Sequence, residues 1–310
     1  MLHAGGTGIH ALLLAVLVLA AAFVPGFAST GNIANVVTQS AALGLVAIGQ
    51  TFVIVGGLID LSVGQLLGLT VVLTCALTDG NSAMLLPTVV AMIAAGTGVG
   101  LVHGWLVNRW RVNPLILTFG TLSILQGLIF TYTDRSIGRA PAELGWIANG
   151  RLSGLPVAGL VLLSFAVVAH VVLTRTRFGL RLFATGGDAE TARRAGVDVG
   201  RIRLVAFVLS GIGAALGGLL VAGRIGTGYP NAGAGFELDA IVAVVLGGAS
   251  LAGGRGSIAG TVAAALLLGV VANVLNLLEV SSFVQTFIKG LIVVSAIVAM
   301  RFRASAASPA

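Results

Sequence analysis

The chain is a series of apolar runs, each about as long as a bilayer is thick, parted by short polar breaks. A hydrocarbon core of ~30 Å asks for about 20 apolar residues in helical form. Lipid also forces every backbone polar group to find a partner within the protein, so helices are the economical way across. The runs fall at about 11–28, 33–56, 61–78, 83–107, 114–132, 156–174, 204–223, 238–252, 257–278 and 282–300. They predict an all-α polytopic membrane protein, with one transmembrane domain over residues 1–310. The domain is a bundle of about ten transmembrane helices (eight to ten), some of them discontinuous. The eighth run, "LDAIVAVVLGGASLA", is short and carries Gly247 and Gly248, the mark of a broken or partial crossing.

Composition agrees where it bears on packing. Apolar residues make up 57% of the chain, and 45 glycines let helix backbones approach closely in lipid. Gly96, Gly100 and Gly104 form one ridge of small residues, and Ser210, Ala214, Gly218 and Ala222 form another. Such ridges serve internal packing or a dimer seam, and internal packing is the plainer use. The first run, in "MLHAGGTGIHALLLAVLVLAAAFVPGF", has no Lys or Arg before it, which favours a retained helix over a cleaved signal peptide. The lone Cys75 excludes an intramolecular disulfide.

The net charge of +7 is explained by membrane topology without a polyanion, so no nucleic-acid partner is expected and membrane lipid is. With the N-terminus inside and ten crossings, Arg109, Arg111, the seven arginines of 175–203, Arg255, Arg301 and Arg303 all fall on the cytoplasmic side. Arg135, Arg139, Arg151 and Arg224 fall outside. That asymmetry places both termini and the 175–203 loop in the cytoplasm.

Several chemistries are excluded. The single lysine, Lys289, is followed by glycine, so no Walker A loop exists to hold nucleotide. Four scattered histidines give no zinc spacing, no metal site is expected, and no G-x-S-x-G elbow is present. The chain is therefore expected to be non-catalytic and to bind no cofactor itself. Spans nearly free of acids also suit a gradient-driven carrier poorly. Lys289 lies about 10 Å into the last run, deep enough for a role and shallow enough to snorkel.

One segment stands out against this background. "ATGGDAETARRAGVDVGRIR" (184–203) reads as a capped two-turn helix over about 189–195. Gly186 and Gly187 break the chain, Asp188 is an N-cap, and Glu190 meets the positive helix end. Arg193 and Arg194 meet the negative end, and Gly196 stands at the left-handed stop. So short a helix is marginal alone. It is either a solvated loop with an incidental helix or a docking element, with Ala189, Ala192 and Ala195 allowing close approach.

The residues from "TRFGLRLFATGGDAETARRAGVDVGRIRLVAFVLSG" onward resemble the cytoplasmic loop and following helix of permease subunits of ribose-type, or simple-sugar, ABC importers. Those relatives read Thr-x-Phe-Gly-Arg, then Ala-x-Gly-Gly-Asn-x-x-Ala-Ala, then Gly-Ile-x-Val. "GGLIDLSVGQLLGL" (56–69), "NPLILTFGTLSILQGL" (113–128) and "GFELDAIVAVVLGGASLAGGRGSIAGT" (235–261) resemble three further blocks of the same family. The likeness runs over roughly 35–300, with departures at Leu58, Leu180 and Asp188. It implies a passive permease for a monosaccharide in a bacterial inner membrane, working by alternating access. The implied partners are a second permease copy (identical or paralogous), an ABC ATPase subunit that holds ATP and Mg, and an extracytoplasmic sugar-binding protein. Gly186, Gly187, Asp188, Glu190, Ala192, Arg193, Arg194 and Gly196 would then couple to the ATPase.

Pathway candidates follow from chemistry, since a neutral sugar wants hydroxyl and amide partners. Asn113-Pro114 opens the fifth run, and Thr118, Thr121, Ser123 and Gln126 follow it, as pathway lining or as packing hydrogen bonds. Asp60 and Ser62 either cap the third span or turn polar groups to the pathway where Gly56-Gly57 unwinds the chain. Glu237 and Asp239 are expected at the outer mouth or against the binding protein.

Overall fold

The computed structural model describes residues 7–281, 283–285, 287–288 and 290–291. The predicted tenth span and Lys289 lie for the most part outside the described residues. Among the described residues, the regular structure is helical apart from one hairpin of two-residue strands, β1 (Arg151–Leu152) and β2 (Leu155–Pro156), and an isolated bridge between Ile137 and Gly228. Among the described residues, six helices are long and apolar enough to cross a membrane: α2 (Thr30–Val55), α4 (Leu85–Trp110), α5 (Pro114–Tyr132), α7 (Val157–Arg175), α10 (Val199–Ile225) and α12 (Ile258–Leu277). Shorter apolar helices are α1 (Thr7–Phe23) and α3 (Val63–Thr78). The remaining helices are α6 (Ala142–Asn149), α8 (Arg177–Gly187), α9 (Ala189–Arg194) and α11 (Phe236–Leu246).

Local chemistry sets the boundaries. Asn113 accepts the Leu115 amide at 3.0 Å and Pro114 occupies the first turn, so α5 begins where its sequence says. α1 stops at Phe23, before Pro25, rather than near 28. It packs on α12 through Ala20, Val16 and Val270.

α2 and α10 form the centre, crossing with backbones in near contact. A methyl on Gly49 would stand 3.0 Å from Ser210 Cα, and one on Gly213 would stand 2.7 Å from the Leu45 carbonyl. Gly100 lies against Phe207 and Val208, and Gly104 against Leu204, which docks α4 on α10. Gly218 receives Thr70 of α3. Both small-residue ridges are thus internal seams. The outward faces of α4, α5 and α7 carry exposed Leu101, Val102, Ile116, Phe119, Leu163 and Val167.

The described arginines separate to two ends. One end gathers the close of α2, the α4–α5 turn with Arg109 and Arg111, the α7–α10 segment and the 247–257 loop with Arg255. The other holds the Arg139–Asp79 pair at 4.0 Å, the α6 helix on Gly223 and the hairpin.

Two elements are interrupted inside the bundle. After α2 the chain loses helical form over 56–62, and Asp60 meets Ser210, twelve residues into α10. At 1.5 Å per residue this is about 17 Å from the start of α10, well within the bundle. After α10, residues 226–235 return alongside α3, with Gly228 against Val72 and Gly233 against Gly68 and Gly64. Hence α11 starts beside the start of α3, runs only 11 residues and ends at Gly247-Gly248. The eighth run is a broken element, as its glycines suggested, and irregular chain completes its course to Val55.

Candidate functional site

The charged segment holds two helices rather than one. The Gly186-Gly187 pair does not break the chain: it forms the last turn of α8, and the break comes at Asp188, whose φ is −156°. The helix beyond it follows its sequence signals closely. Asp188 accepts the amides of Glu190 and Thr191, both at 2.9 Å. These bonds, that of Thr191 foremost, hold its carboxyl below the usual aspartate range. Gly196 has φ +81°, and the Val197 amide reaches back to the Ala192 carbonyl at 3.0 Å, closing the helix.

Charges on α9 are paired with one another. Arg193 Nη1 reaches Glu190 Oε2 at 2.6 Å and Arg194 Nε reaches Oε1 at 3.3 Å, all exposed. Ala192 is buried against the chain's own body, so it packs α9 down and is not part of its outer surface. Ala195 is exposed.

Behind α9 lies a contact that neither composition nor capping rules foretold. A methyl on Gly186 would overlap the Val55 carbonyl oxygen and stand 2.6 Å from the Gly254 nitrogen. Gly254 donates its amide to that same Val55 carbonyl at 2.9 Å. Gly57, with φ +76°, sits 3.7 Å from Gly186 by the same measure. Three backbones therefore meet: the end of α8, the unwinding α2–α3 junction and the 247–257 loop. Backbone cannot swing aside as a side chain does, so the three segments are closely packed with no room for a side chain at Gly186.

Deeper in, Asp60 is almost fully enclosed. Its Oδ1 accepts the Ser62 amide at 3.0 Å and the Ser62 hydroxyl at 2.6 Å, and its Oδ2 accepts the Ser210 hydroxyl at 2.9 Å. Ser62 occupies the N-cap position of α3 without a side-chain cap bond, so Asp60 fastens the junction to α10 instead of capping the helix directly. Thr118 bridges the same junction from α5, accepting the Leu61 amide at 3.1 Å while bonding the Pro114 carbonyl at 2.9 Å. Thr121 meets His103 Nε2 at 2.9 Å, a partner not anticipated.

Other pathway candidates disperse. Ser123 bonds back to the Phe119 carbonyl at 3.3 Å, and both Ser123 and Gln126 lie on the exposed side of α5. Asn113 is the α5 cap. Glu237 stands over Gly64, at the α3–α11 junction inside the bundle and not at a far rim, because residues 226–235 carry the chain back inward. Asp239 lines a cavity of about 480 Å³ with Gln39, Ser40 and Arg224. The Gln50 amide, His103 Nδ1 and Glu237 Oε2 are enclosed and lack hydrogen-bond partners among the described residues. No group of three metal-ligating side chains occurs among the described residues.

The fold and these junctions define a polytopic helical membrane protein with interrupted helices and a capped helical handle at its arginine-rich end. Residues 32–297 match the model of the family described as branched-chain amino acid transport system / permease component, and the chain belongs to that family of non-catalytic ABC permease subunits. It is 36% identical over 290 residues to the ribose import permease protein RbsC of Escherichia coli K12, covering 92% of this chain and 90% of that one. RbsC of Bacillus subtilis strain 168 is 38% identical over 282 residues, covering 88% of this chain and 85% of its own. The L-arabinose transport system permease protein AraH of Escherichia coli K12 is 35% identical over 294 residues, covering 94% and 89%. No solved structure matches the chain. The resemblance read from four sequence blocks is borne out.

Proposed function

We propose that this chain passes a simple sugar across a bacterial inner membrane by alternating access, driven by ATP that a separate ATPase subunit holds with Mg. In this reading ten segments cross, the arginine-rich end is cytoplasmic and both termini lie there. α9 docks on the ATPase, an extracytoplasmic binding protein delivers the sugar, and a second permease copy completes the pathway. The chain itself binds no cofactor. Relatives named for ribose, L-arabinose and D-allose support a sugar cargo.

The observation that carries the reading is the three-backbone contact at Gly186, Val55 and Gly254. It ties the handle to the α2–α3 junction, where Asp60, Ser62 and Thr118 hold α3, α10 and α5 together. A push on α9 is thereby delivered to the interrupted helices, as alternating access requires. Ser123 and Gln126, exposed on one copy, face the pathway between two copies.

Proteoliposomes holding this chain, its cognate ATPase and its cognate binding protein test the reading directly. Uptake of labelled ribose, L-arabinose or D-allose that requires ATP supports it. ATP-driven uptake of a branched-chain amino acid and no sugar overturns the cargo, and sugar uptake without ATP or ATPase overturns the drive.

A further inference from the structure

The arginine-rich end contains a cleft of about 920 Å³ between α9, the α4–α5 turn and the start of α10. Arg111, Arg193 and Arg203 line it against one acid, Glu190. Glu190 is already engaged, each of its oxygens taken by an arginine of α9. Arg111 and Arg203 have no carboxylate partner among the described residues, and Arg203 Nε is enclosed without a hydrogen bond. Arg203 lies close enough to Arg193 for the two to repel. The cleft is thus a standing excess of guanidinium charge.

Its depth is marked by its neighbours. Trp105 and Trp110, at the end of α4, are 52% and 62% exposed and lie with rings 5.2 Å apart. Exposed tryptophans at the end of a crossing helix sit at headgroup level. Arg111 follows Trp110 directly, in a left-handed conformation (φ +54°) that few arginines adopt. Arginines on a cytoplasmic-side pocket between membrane helices, at that level, suit the phosphate of a lipid headgroup, whose oxygens accept from guanidinium forks in pairs.

We propose that this cleft binds the headgroup phosphate of an anionic phospholipid, held by Arg111 and Arg203, with α9 forming one wall. The binding stands whether or not α9 docks an ATPase.

The test is native mass spectrometry of the purified full chain titrated with phosphatidylglycerol or phosphatidylcholine of matched tails. Phosphatidylglycerol binds more tightly to the wild type, and Arg111→Gln/Arg203→Gln weakens it by roughly fivefold per arginine, about twentyfold to thirtyfold together. Arg175→Gln/Arg177→Gln removes two exposed arginines of the same end outside the cleft and leaves that affinity within about twofold. Arg111→Lys/Arg203→Lys keeps the charge, and so retains part of the preference even if the glutamine pair folds poorly. Equal loss in the Arg175/Arg177 control, or no preference for phosphatidylglycerol, overturns the proposal. So does competition by free glycerol phosphate at the lipid's own concentration, which marks a soluble-anion site. Loss of ATPase affinity in the cleft variant with lipid binding unchanged assigns the cleft to an acidic protein surface instead.

Discussion

Gly186→Ala isolates the link between handle and bundle. The added methyl overlaps the Val55 carbonyl and presses on the Gly254 amide, both backbone, while Val55 and Gly254 are bonded to each other at 2.9 Å. Overpacking of this kind costs ~1–3 kcal/mol, and opening the Val55–Gly254 bond adds about 1 kcal/mol. Alanine returns up to ~1 kcal/mol through helix propensity at this position in α8. The net is about 2 kcal/mol, roughly a thirtyfold shift away from the docked arrangement of α8. Gly187→Ala, one residue on, meets nothing within 4 Å and should be neutral or slightly stabilising. Thermal unfolding in nanodiscs and ATP-driven uptake would be measured on both variants. Gly186→Ala should lower the transition and the uptake per ATP hydrolysed, and Gly187→Ala should change neither. Equal behaviour of the two would refute a backbone contact as the transmitting element.

Three further outcomes follow from the site. Ser210→Ala strips the donor from the enclosed Asp60 Oδ2 and should cost about 1.5–3 kcal/mol of stability, read by thermal unfolding. A control at the exposed Ser164, bonded only within its own helix, should cost far less. Asp188→Ala removes both amide caps and should lower protection of the Glu190 and Thr191 amides in hydrogen exchange, while Asp188→Asn keeps much of it. Because the folded Asp188 carboxyl titrates below its ordinary 3.8, its contribution is complete above that pH and lost only as pH falls through the lower folded value. Protection of α9 should therefore be flat from neutral pH to about 4, and the Asn variant should lack the acid loss.

What the sequence revealed was mostly local. Asp188, Glu190 and Gly196 act within one short helix, so their types and spacing were enough to draw it. Asn113-Pro114 marked the start of α5 for the same reason. The misread pair, Gly186-Gly187, shows the limit. A glycine pair reads as a helix breaker, yet Gly186 lies in the last turn of α8, and a neighbouring backbone that leaves no room for a methyl requires glycine there. Hydropathy measures length and not depth, so it does not show that Glu237 sits beside Gly64. The contacts of Gly233 with Gly64 and Gly68, and of Gly228 with Val72, reveal that residues 226–235 turn back into the bundle. Thr118 kept its hydroxyl chemistry, but its partner is the Leu61 amide, a pairing 57 residues apart that no periodicity encodes.

The most direct measurement is ATP hydrolysis and sugar uptake together, in proteoliposomes of the full assembly, for wild type and Arg193→Glu/Arg194→Glu. Both arginines are exposed on α9, so the bundle should stay folded. On the proposed docking of α9, uptake should fall about tenfold or more while thermal unfolding is unchanged, because the reversed charges act on the outer surface of α9 and not on the membrane domain. Uptake and hydrolysis both at wild-type levels would show that α9 is an ordinary basic loop and that the drive enters elsewhere.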